Sequence, residues 1–288
     1  MITVVGGTGR LGRLVTARLL AEGQSVRAVA RSAPATPVAG AQFVAADVRH
    51  PASLATALAG SRVVVSAMHG MDPAARQSPS DVDRDGNRNL IRAAGELGAD
   101  IVLVSIIGAR EDHPIELFRM KSAAEAALLG GSASHGTGWT IVRAAAFADM
   151  WLDLFRGTAG RTGVPKVMGP GRNATNFVAA DDVAVAVTRA ATDRSLRGRI
   201  IEVAGQDLSG TALAGLVTAP GKSPAHVPTA LVWLLGNALR PVRPSLARVA
   251  RQALVMERVP MRTDPAPGHA EYPWLPLTPI AALAPSGR

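Results

Sequence analysis

The residues with the type and spacing for chemistry begin with a glycine run, Gly6, Gly7, Gly9 and Gly12, in MITVVGGTGRLG. An apolar β-prone run, Ile2–Val5, precedes it, and an amphipathic stretch, Arg10–Glu22, follows. In such a strand, turn and helix start, Gly6 permits a tight turn, Gly9 lets a pyrophosphate reach the backbone, and Gly12 lets helix and strand pack closely. The helix start offers free N–H groups and a partial positive charge to phosphate oxygens. Thr8, Arg10 and Leu11 complete the expected dinucleotide cradle. The second feature is Val29-Ala30-Arg31-Ser32, at the end of the next apolar run. An acidic residue here would hydrogen-bond the ribose of NAD. Arg31 instead presents a guanidinium fork to a 2′-phosphate, with Arg10 and Ser32 as further contacts, so NADP(H) is the expected cofactor.

Three more candidates sit at predicted strand ends. Asp47, with Val48 beside it, can accept from an adenine amino group or cap the helix that begins near Pro51. Ala67 and Met68 should lie along the nicotinamide ribose. His69 is the only histidine at a predicted strand end, either a proton donor or a hydrogen-bonded bystander.

The elements that must position these residues follow from periodicity. Predicted strands are Ile2–Val5, Ser25–Ala30, Gln42–Val44, Val63–Ser66, Ile101–Ser105, Thr140–Arg143 and Arg199–Ala204. Between them, helical spacing marks Leu11–Glu22, Pro51–Leu58, Asp81–Leu97 and Glu116–Leu129. Asp149–Phe155 and Asp181–Ala191 are further helices, the latter capped by Asp181 or Asp182. Gly157–Asn176 reads as a loop region. The alternation predicts an α/β fold, a doubly wound parallel sheet of Rossmann type, with ligands at the carboxyl ends of the strands. We expect a core over 1–205 and a small C-terminal lobe over 206–288.

Composition narrows the classes. The chain has 288 residues, a net charge of +9 and 48% hydrophobic residues. It lacks cysteine, which excludes disulfides, thiol nucleophiles and thiolate metal sites. The six histidines are dispersed, so no metal site is expected. Only Lys121, Lys166 and Lys222 are lysines. The arginines are scattered, with some concentration over 240–262 and no interleaved aromatics, and no nucleic-acid partner is expected. Ala230–Leu239 is apolar but too short to span a membrane. Met1 is followed at once by the first strand, so no cleavable leader is expected. A cytoplasmic monomer or homodimer with no membrane partner is the expectation.

Several segments in order resemble one family. They are Gly6-Gly7-Thr8-Gly9-Arg10-Leu11-Gly12, Val104-Ser105-Ile106-Ile107-Gly108-Ala109, Lys121-Ser122-Ala123-Ala124-Glu125, Gly138-Trp139-Thr140-Ile141-Val142-Arg143, and the run from Asn176 to Ala184. Together they resemble the atypical short-chain dehydrogenase/reductases, specifically the NmrA-like NAD(P)H-binding proteins and their isoflavone reductase-like relatives. The resemblance covers residues 1–205 well and the tail loosely. It implies a Rossmann core, with part of the substrate pocket around 147–176, and a C-terminal substrate lobe; in most short-chain dehydrogenases a Tyr-x-x-x-Lys pair does the chemistry. Lys121 is present, but Leu117 stands four residues before it, and the single tyrosine is Tyr272.

Two functions follow. In one, the protein is an NADP(H)-dependent reductase in which Lys121 delivers a proton or orients a water, and Ser105 hydrogen-bonds the substrate carbonyl. In the other, it is a sensor that binds NADP(H) without turnover. An epimerase, dehydratase or cyclase would need an acid/base pair, and only His69 with Lys121 is available. The resemblance also implies that Ala145 and Phe147 pass the nicotinamide carboxamide. Phe147, Trp151 and Phe155 hint at an apolar small-molecule substrate, although a stripe at this spacing also suits a core. His113, in a polar loop before the Lys121 helix, is a candidate lid residue.

Overall fold

A computed structural model describes residues 1–71, 77–239, 241–242 and 244–284. In chain order it contains β1 (Ile2–Val5), α1 (Arg10–Ala21), β2 (Val26–Ala30), β3 (Gln42–Ala45), α2 (Pro51–Leu58), β4 (Val63–Ser66), a π-helical turn (Ser80–Gly86) running into α3 (Asn87–Glu96), β5 (Asp100–Ile106), α4 (Glu116–His135) and β6 (Trp139–Ala144). Then come β7 (Ala146–Phe147), α5 (Ala148–Ala159), β8 (Lys166–Met168), β9 (Ala174–Val178), α6 (Ala180–Thr192), β10 (Arg199–Val203), β11 (Gln206–Ser209), α7 (Gly210–Gly215), β12 (Ala225–Val227), α8 (Thr229–Ala238), α9 (Pro244–Met256) and α10 (Ala266–Glu271).

Two compact units emerge. The first joins Met1–Met71, Gln77–Ala144 and Ala180–Val203, and the second is built on Ala145–Ala179 and Ala204–Arg288. The segment 145–179, expected with the core, thus groups with the later residues. The reason is strand pairing: β7 and β9 join β11 in a separate sheet.

In the first unit the apolar runs form a seven-stranded sheet in the order β10-β6-β5-β4-β1-β2-β3. Every pair is parallel. Its central strands are apolar on both faces, with Val4, Val64, Val65, Ile101, Val102 and Leu103 buried, as a sheet covered by helices on both sides requires. One layer includes Leu54, Leu58, Leu90, Ile91 and Leu128, from α2, α3 and α4. On the other side α1 packs beside α6. Strand order reverses at β1, so the crevice at the carboxyl ends of β1 and β4 is the switch point of a doubly wound, Rossmann-type α/β sheet.

Three local differences from the sequence reading have physical causes. The helix expected over Asp81–Leu97 opens with a π-helical turn, and within it Gly86 lies so close to Val48 that a Cβ would stand 2.6 Å from Val48 Cγ2. The region 157–176 holds the end of α5, β8 and the start of β9. β8 and β9 are short strands that exist because they pair with β12 and β11, distant in sequence. Asp181 and Asp182 lie inside the first turn of α6 rather than before it, and Asp181 instead accepts from Arg18 of α1.

The second unit has its own core, with Ala148, Leu152, Phe155, Val167, Phe177, Leu213 and Ile280 among its members. Asn176 ties its strands together. Its Oδ1 accepts from Gly205 N–H at 2.7 Å, and its Nδ2 donates to Asp207 Oδ1 at 2.8 Å and Thr263 O at 2.9 Å.

Candidate dinucleotide site

In the glycine turn, packing constrains Gly6, Gly7 and Gly12 directly. Gly6 has φ +83°, and a Cβ there would stand 2.7 Å from Ala67 O, so the ends of β1 and β4 nearly touch. Gly6 and Gly7 both donate to Val29 O, at 2.9 and 3.2 Å, which draws the turn against β2. A Cβ on Gly12 would lie 2.1 Å from Gly6 O, so glycine is needed for α1 to pack on the turn. Gly7 has a role beyond that reading, since a Cβ there would meet Ala28 Cβ at 2.8 Å. Gly9 differs: it is exposed, and its nearest obstacle would be Gly6 O at 3.3 Å. Packing therefore constrains position 9 less than position 12, and its exposed backbone leaves room for a ligand to lie against it. Gly9 precedes α1 with no side-chain cap, and the first turn of α1 has no acidic residue. The helix N-terminus thus keeps its dipole and N–H groups available to an anion. These features fit a pyrophosphate. Leu11 is buried, Thr8 half-buried and Arg10 exposed.

At the end of β2, Arg31 and Ser32 are exposed, and Arg31 forms no ion pair among the described residues. An unpaired guanidinium here suits a phosphate monoester. Asp47, after β3, does not cap α2. Its carboxylate accepts from the backbone N–H of Arg49 at 3.0 Å and pairs with the Arg49 guanidinium at 2.6 Å, while His50 precedes the helix. The hydrogen bond from Arg49 holds the Asp47 carboxyl below the usual carboxylate range. Val48 is buried beside Gly86, and its carbonyl accepts from Asn89 at 2.9 Å.

Deeper at the strand ends lies Lys121, 5% exposed. Its Nζ donates to Val104 O at 2.9 Å and Met68 O at 3.1 Å, and Asp83 Oδ1 stands 3.0 Å away. The Asp83 contact is an ion pair lying off the hydrogen-bond direction. Asp83 is fully buried, and its other oxygen accepts from Gly70 N–H at 2.8 Å. Asn87, one turn on, accepts from Ser66 Oγ at 2.6 Å and donates to Asp83 O at 2.8 Å. One lysine therefore joins the ends of β4 and β5 to the π-helical turn. Such turns occur often at functional sites because they displace a side chain from helical register. Sequence reading missed Asp83. A signal existed: Asp83, Asn87, Leu90, Ile91 and Ala94 share one helical stripe, so two polar residues sit on an otherwise apolar face.

Ser105 also lies at the end of β5, and its Oγ is buried with no hydrogen-bond partner among the described residues. His69 is exposed just after β4, and its Nδ1 accepts from Met71 N–H at 3.3 Å. His113 is not an exposed lid. It is 2% exposed, stacked on Phe118 at 4.0 Å, and its Nδ1 accepts from Ile115 N–H at 3.1 Å. Burial pushes its pKa below the ordinary histidine value. The remaining candidates belong to the second unit. Ala145 is buried, and Phe147 is half-buried in β7. Phe155 is 4% exposed and part of that unit's core, so it offers almost no surface to a substrate. Trp151 is half-buried, 6.1 Å from Phe155 and edge-on to Phe177. Among the described residues, no cluster of acidic and histidine side chains could hold a metal.

Comparison with known proteins agrees with this geometry. The sequence model of the NAD(P)H-binding family matches residues 6–194. Among curated relatives, the photosystem II assembly factor Ycf39 of Cyanophora paradoxa is 31% identical over 170 residues, covering 57% of this chain and 49% of the relative. A dTDP-6-deoxy-L-talose 4-dehydrogenase (NAD(P)(+)) of Kitasatospora kifunensis is 47% identical over 74 residues, covering 24% of this chain and 23% of that enzyme. The chain spans between 12% and 49% of the length of the curated relatives it matches. Two solved structures share the fold over nearly the whole chain. The Citrobacter triphenylmethane reductase complexed with NADP(H) has a TM-score of 0.76 at 19% identity, covering 98% of both chains. The Escherichia coli NADPH-dependent quinone oxidoreductase complexed with NADPH has a TM-score of 0.74 at 21% identity, again covering 98% of both. The glycine turn, the uncapped helix and the family match over residues 6–194 lead to one statement: this chain belongs to the NAD(P)H-binding family, on a Rossmann-type fold.

Proposed function

We propose that the protein is an NADP(H)-dependent reductase of a small apolar carbonyl, enone, quinone or imine. The observation that carries the cofactor preference is Arg31, an exposed and unpaired cation where NAD-specific sites carry an acid. Gly9 and the uncapped start of α1 would hold the pyrophosphate, and Arg31 with Ser32 the 2′-phosphate. The reduced nicotinamide supplies the hydride. The protein's part is to orient the reactants and exclude water. Lys121 has no tyrosine partner four residues earlier, so it either passes a proton itself or orders the groups around it. Two structural neighbours, the quinone and triphenylmethane reductases, support an oxidoreductase with an apolar substrate. The test is loss of nicotinamide absorbance with a panel of quinones, enones and imines, in wild type and Lys121→Met. Turnover should fall by about 10²-fold or more in the variant, with cofactor affinity reduced only modestly.

A second reading, a sensor that binds NADP(H) without turnover, is favoured by the Lys121 ammonium being buried among three protein oxygens. The Ycf39 relative, an assembly factor, is compatible with it. Tight NADP(H) binding with no oxidation across the panel would decide for the sensor.

A further inference from the structure

The second unit holds a cavity of about 440 Å³, lined by Pro170, Gly171, Arg172, Ser209, Thr211 and His226. Small-ligand sites run from about 300 to 1,000 Å³. Three segments distant in sequence wall it: the turn between β8 and β9, the junction of β11 with α7, and β12. Their backbones are tied together. Thr211 N–H donates to Gly171 O at 3.0 Å, and Gly169 N–H donates to Val227 O at 2.9 Å. Asn173 Nδ2 fastens the same turn to Val259 O at 2.8 Å. Gly171 has φ +61°, and a Cβ there would stand 2.5 Å from Val167 Cγ1 and 2.6 Å from Thr211 Oγ1. Glycine at 171 thus lets the turn sit against the start of α7. The cavity is formed before any ligand arrives, which lowers the cost of binding.

The polar groups around it have hydrogen-bonding capacity left over. Arg172 is exposed and makes no hydrogen bond or ion pair among the described residues. His226 Nδ1 donates to Gly169 O at 3.0 Å, which fixes the ring and leaves Nε2 as its open nitrogen. Ser209 Oγ accepts from Ala212 N–H at 3.1 Å, so its own proton is available. Thr211 Oγ1 donates to Pro170 O at 3.3 Å, so its lone pairs are available.

Charge narrows the class of ligand. No acidic side chain lines the cavity. Two carboxylates belong to neighbouring segments. Asp207, two residues before Ser209, accepts from Asn176 Nδ2 at 2.8 Å. Glu257 lies against Gly169, its Cγ 3.2 Å from where a Cβ would be, and so neighbours the backbone that anchors His226. Its charge offsets any on the imidazole, which leaves Arg172 as the cation that selects the ligand. Lys166, exposed on β8, adds positive charge without lining the wall. A guanidinium presents paired N–H donors to phosphate oxygens. Phosphate has nearly two charges and three terminal oxygens, so it takes donors from both sides of a cavity.

We propose that this cavity binds the phosphate monoester of a small hydroxylated molecule. Arg172 and Ser209 donate to the phosphate, while Thr211 Oγ1 and His226 Nε2 accept from hydroxyl groups beside it. The inference concerns the second unit alone and does not rest on the reductase reading.

The test is calorimetric titration of the whole chain with ribose 5-phosphate, ribose, inorganic phosphate and citrate, with the His226 ring followed by nuclear magnetic resonance. We expect ribose 5-phosphate to bind at least about tenfold more tightly than ribose, inorganic phosphate or citrate, and to move the His226 ring signals. Arg172→Ala should weaken binding by about tenfold or more, the scale of a lost charge-assisted hydrogen bond. Arg172→Lys should recover part of that loss. Arg172 is exposed, so circular dichroism should be unchanged. NADPH affinity should be the same in wild type and Arg172→Ala. No binding of ribose 5-phosphate, unmoved His226 signals, or binding indifferent to Arg172→Ala overturns the proposal. Tighter binding of citrate would assign the cavity to carboxylates and overturn it as well. So would a parallel loss of ribose 5-phosphate and NADPH binding in Arg172→Ala, which would make Arg172 a cofactor contact.

Discussion

At the scale of single residues, two cations divide the labour. Arg31 is exposed and unpaired, so its contribution should appear only with a ligand. Arg31→Ala should weaken NADP(H) binding by about 1.5–3 kcal/mol, as loss of a charge-assisted contact does, and leave NAD(H) affinity nearly unchanged. Titrating both cofactors against wild type and variant checks this, and equal wild-type affinity for the two would remove the preference. Lys121 is the opposite case, buried against Asp83 at 3.0 Å. Lys121→Met leaves a carboxylate buried without its partner, which should cost about 3–5 kcal/mol in stability. Adding Asp83→Asn removes the orphaned charge and should recover part of the loss. Denaturant unfolding of both single variants and the double variant measures the coupling. Strict additivity would mean that the two residues do not act as a pair.

At the scale of elements, the glycine turn separates a binding requirement from a folding one. A Cβ at Gly9 would stand 3.3 Å from Gly6 O, a tight contact that a small shift relieves, whereas one at Gly12 would collide with the same oxygen at 2.1 Å. Gly9→Val should therefore fold normally and lose dinucleotide binding. Gly12→Val should be destabilised by about 3 kcal/mol, because the start of α1 must back away from the turn. Comparing melting temperature and cofactor titration for the two variants tests the division, and a stable Gly12→Val would contradict it. In the second unit, Asn176 bridges β9 to Gly205, Asp207 and Thr263. Asn176→Ala should cost about 2–4 kcal/mol, since buried backbone groups lose their partners. Chemical denaturation measures this loss.

At the scale of the whole molecule, stability should respond to mild acid through His113. Burial depresses its pKa in the folded chain, with the charge of Arg110 acting in the same direction. Below the ordinary histidine value the unfolded chain binds a proton that the folded chain resists. Proton uptake on unfolding makes stability rise with pH, so stability should fall as pH drops from about 7 through 6.5 toward the lowered folded value. His113→Gln should flatten that part of the profile. Melting temperatures of wild type and variant across this range provide the measurement, and parallel profiles would show that His113 does not contribute.

Local chemistry alone determined much of this protein. The strands Ile2–Val5 and Val63–Ser66, the glycine turn and the alternating sheet were legible because each depends on residues adjacent in the chain: apolar runs, positive-φ glycine and helical periodicity. The basic residue at the end of β2 was legible for the same reason. Tertiary structure decided what depends on partners distant in sequence. β8 and β9 become strands only through pairing with β12 and β11. Phe155 goes into a core, and His113 is stacked beneath the start of α4, because packing rather than polarity of the surrounding run sets burial. Asp83 was hidden most completely. A carboxylate in a helix reads as solvated until the fold brings Lys121, 38 residues later, to within 3.0 Å and closes both from water.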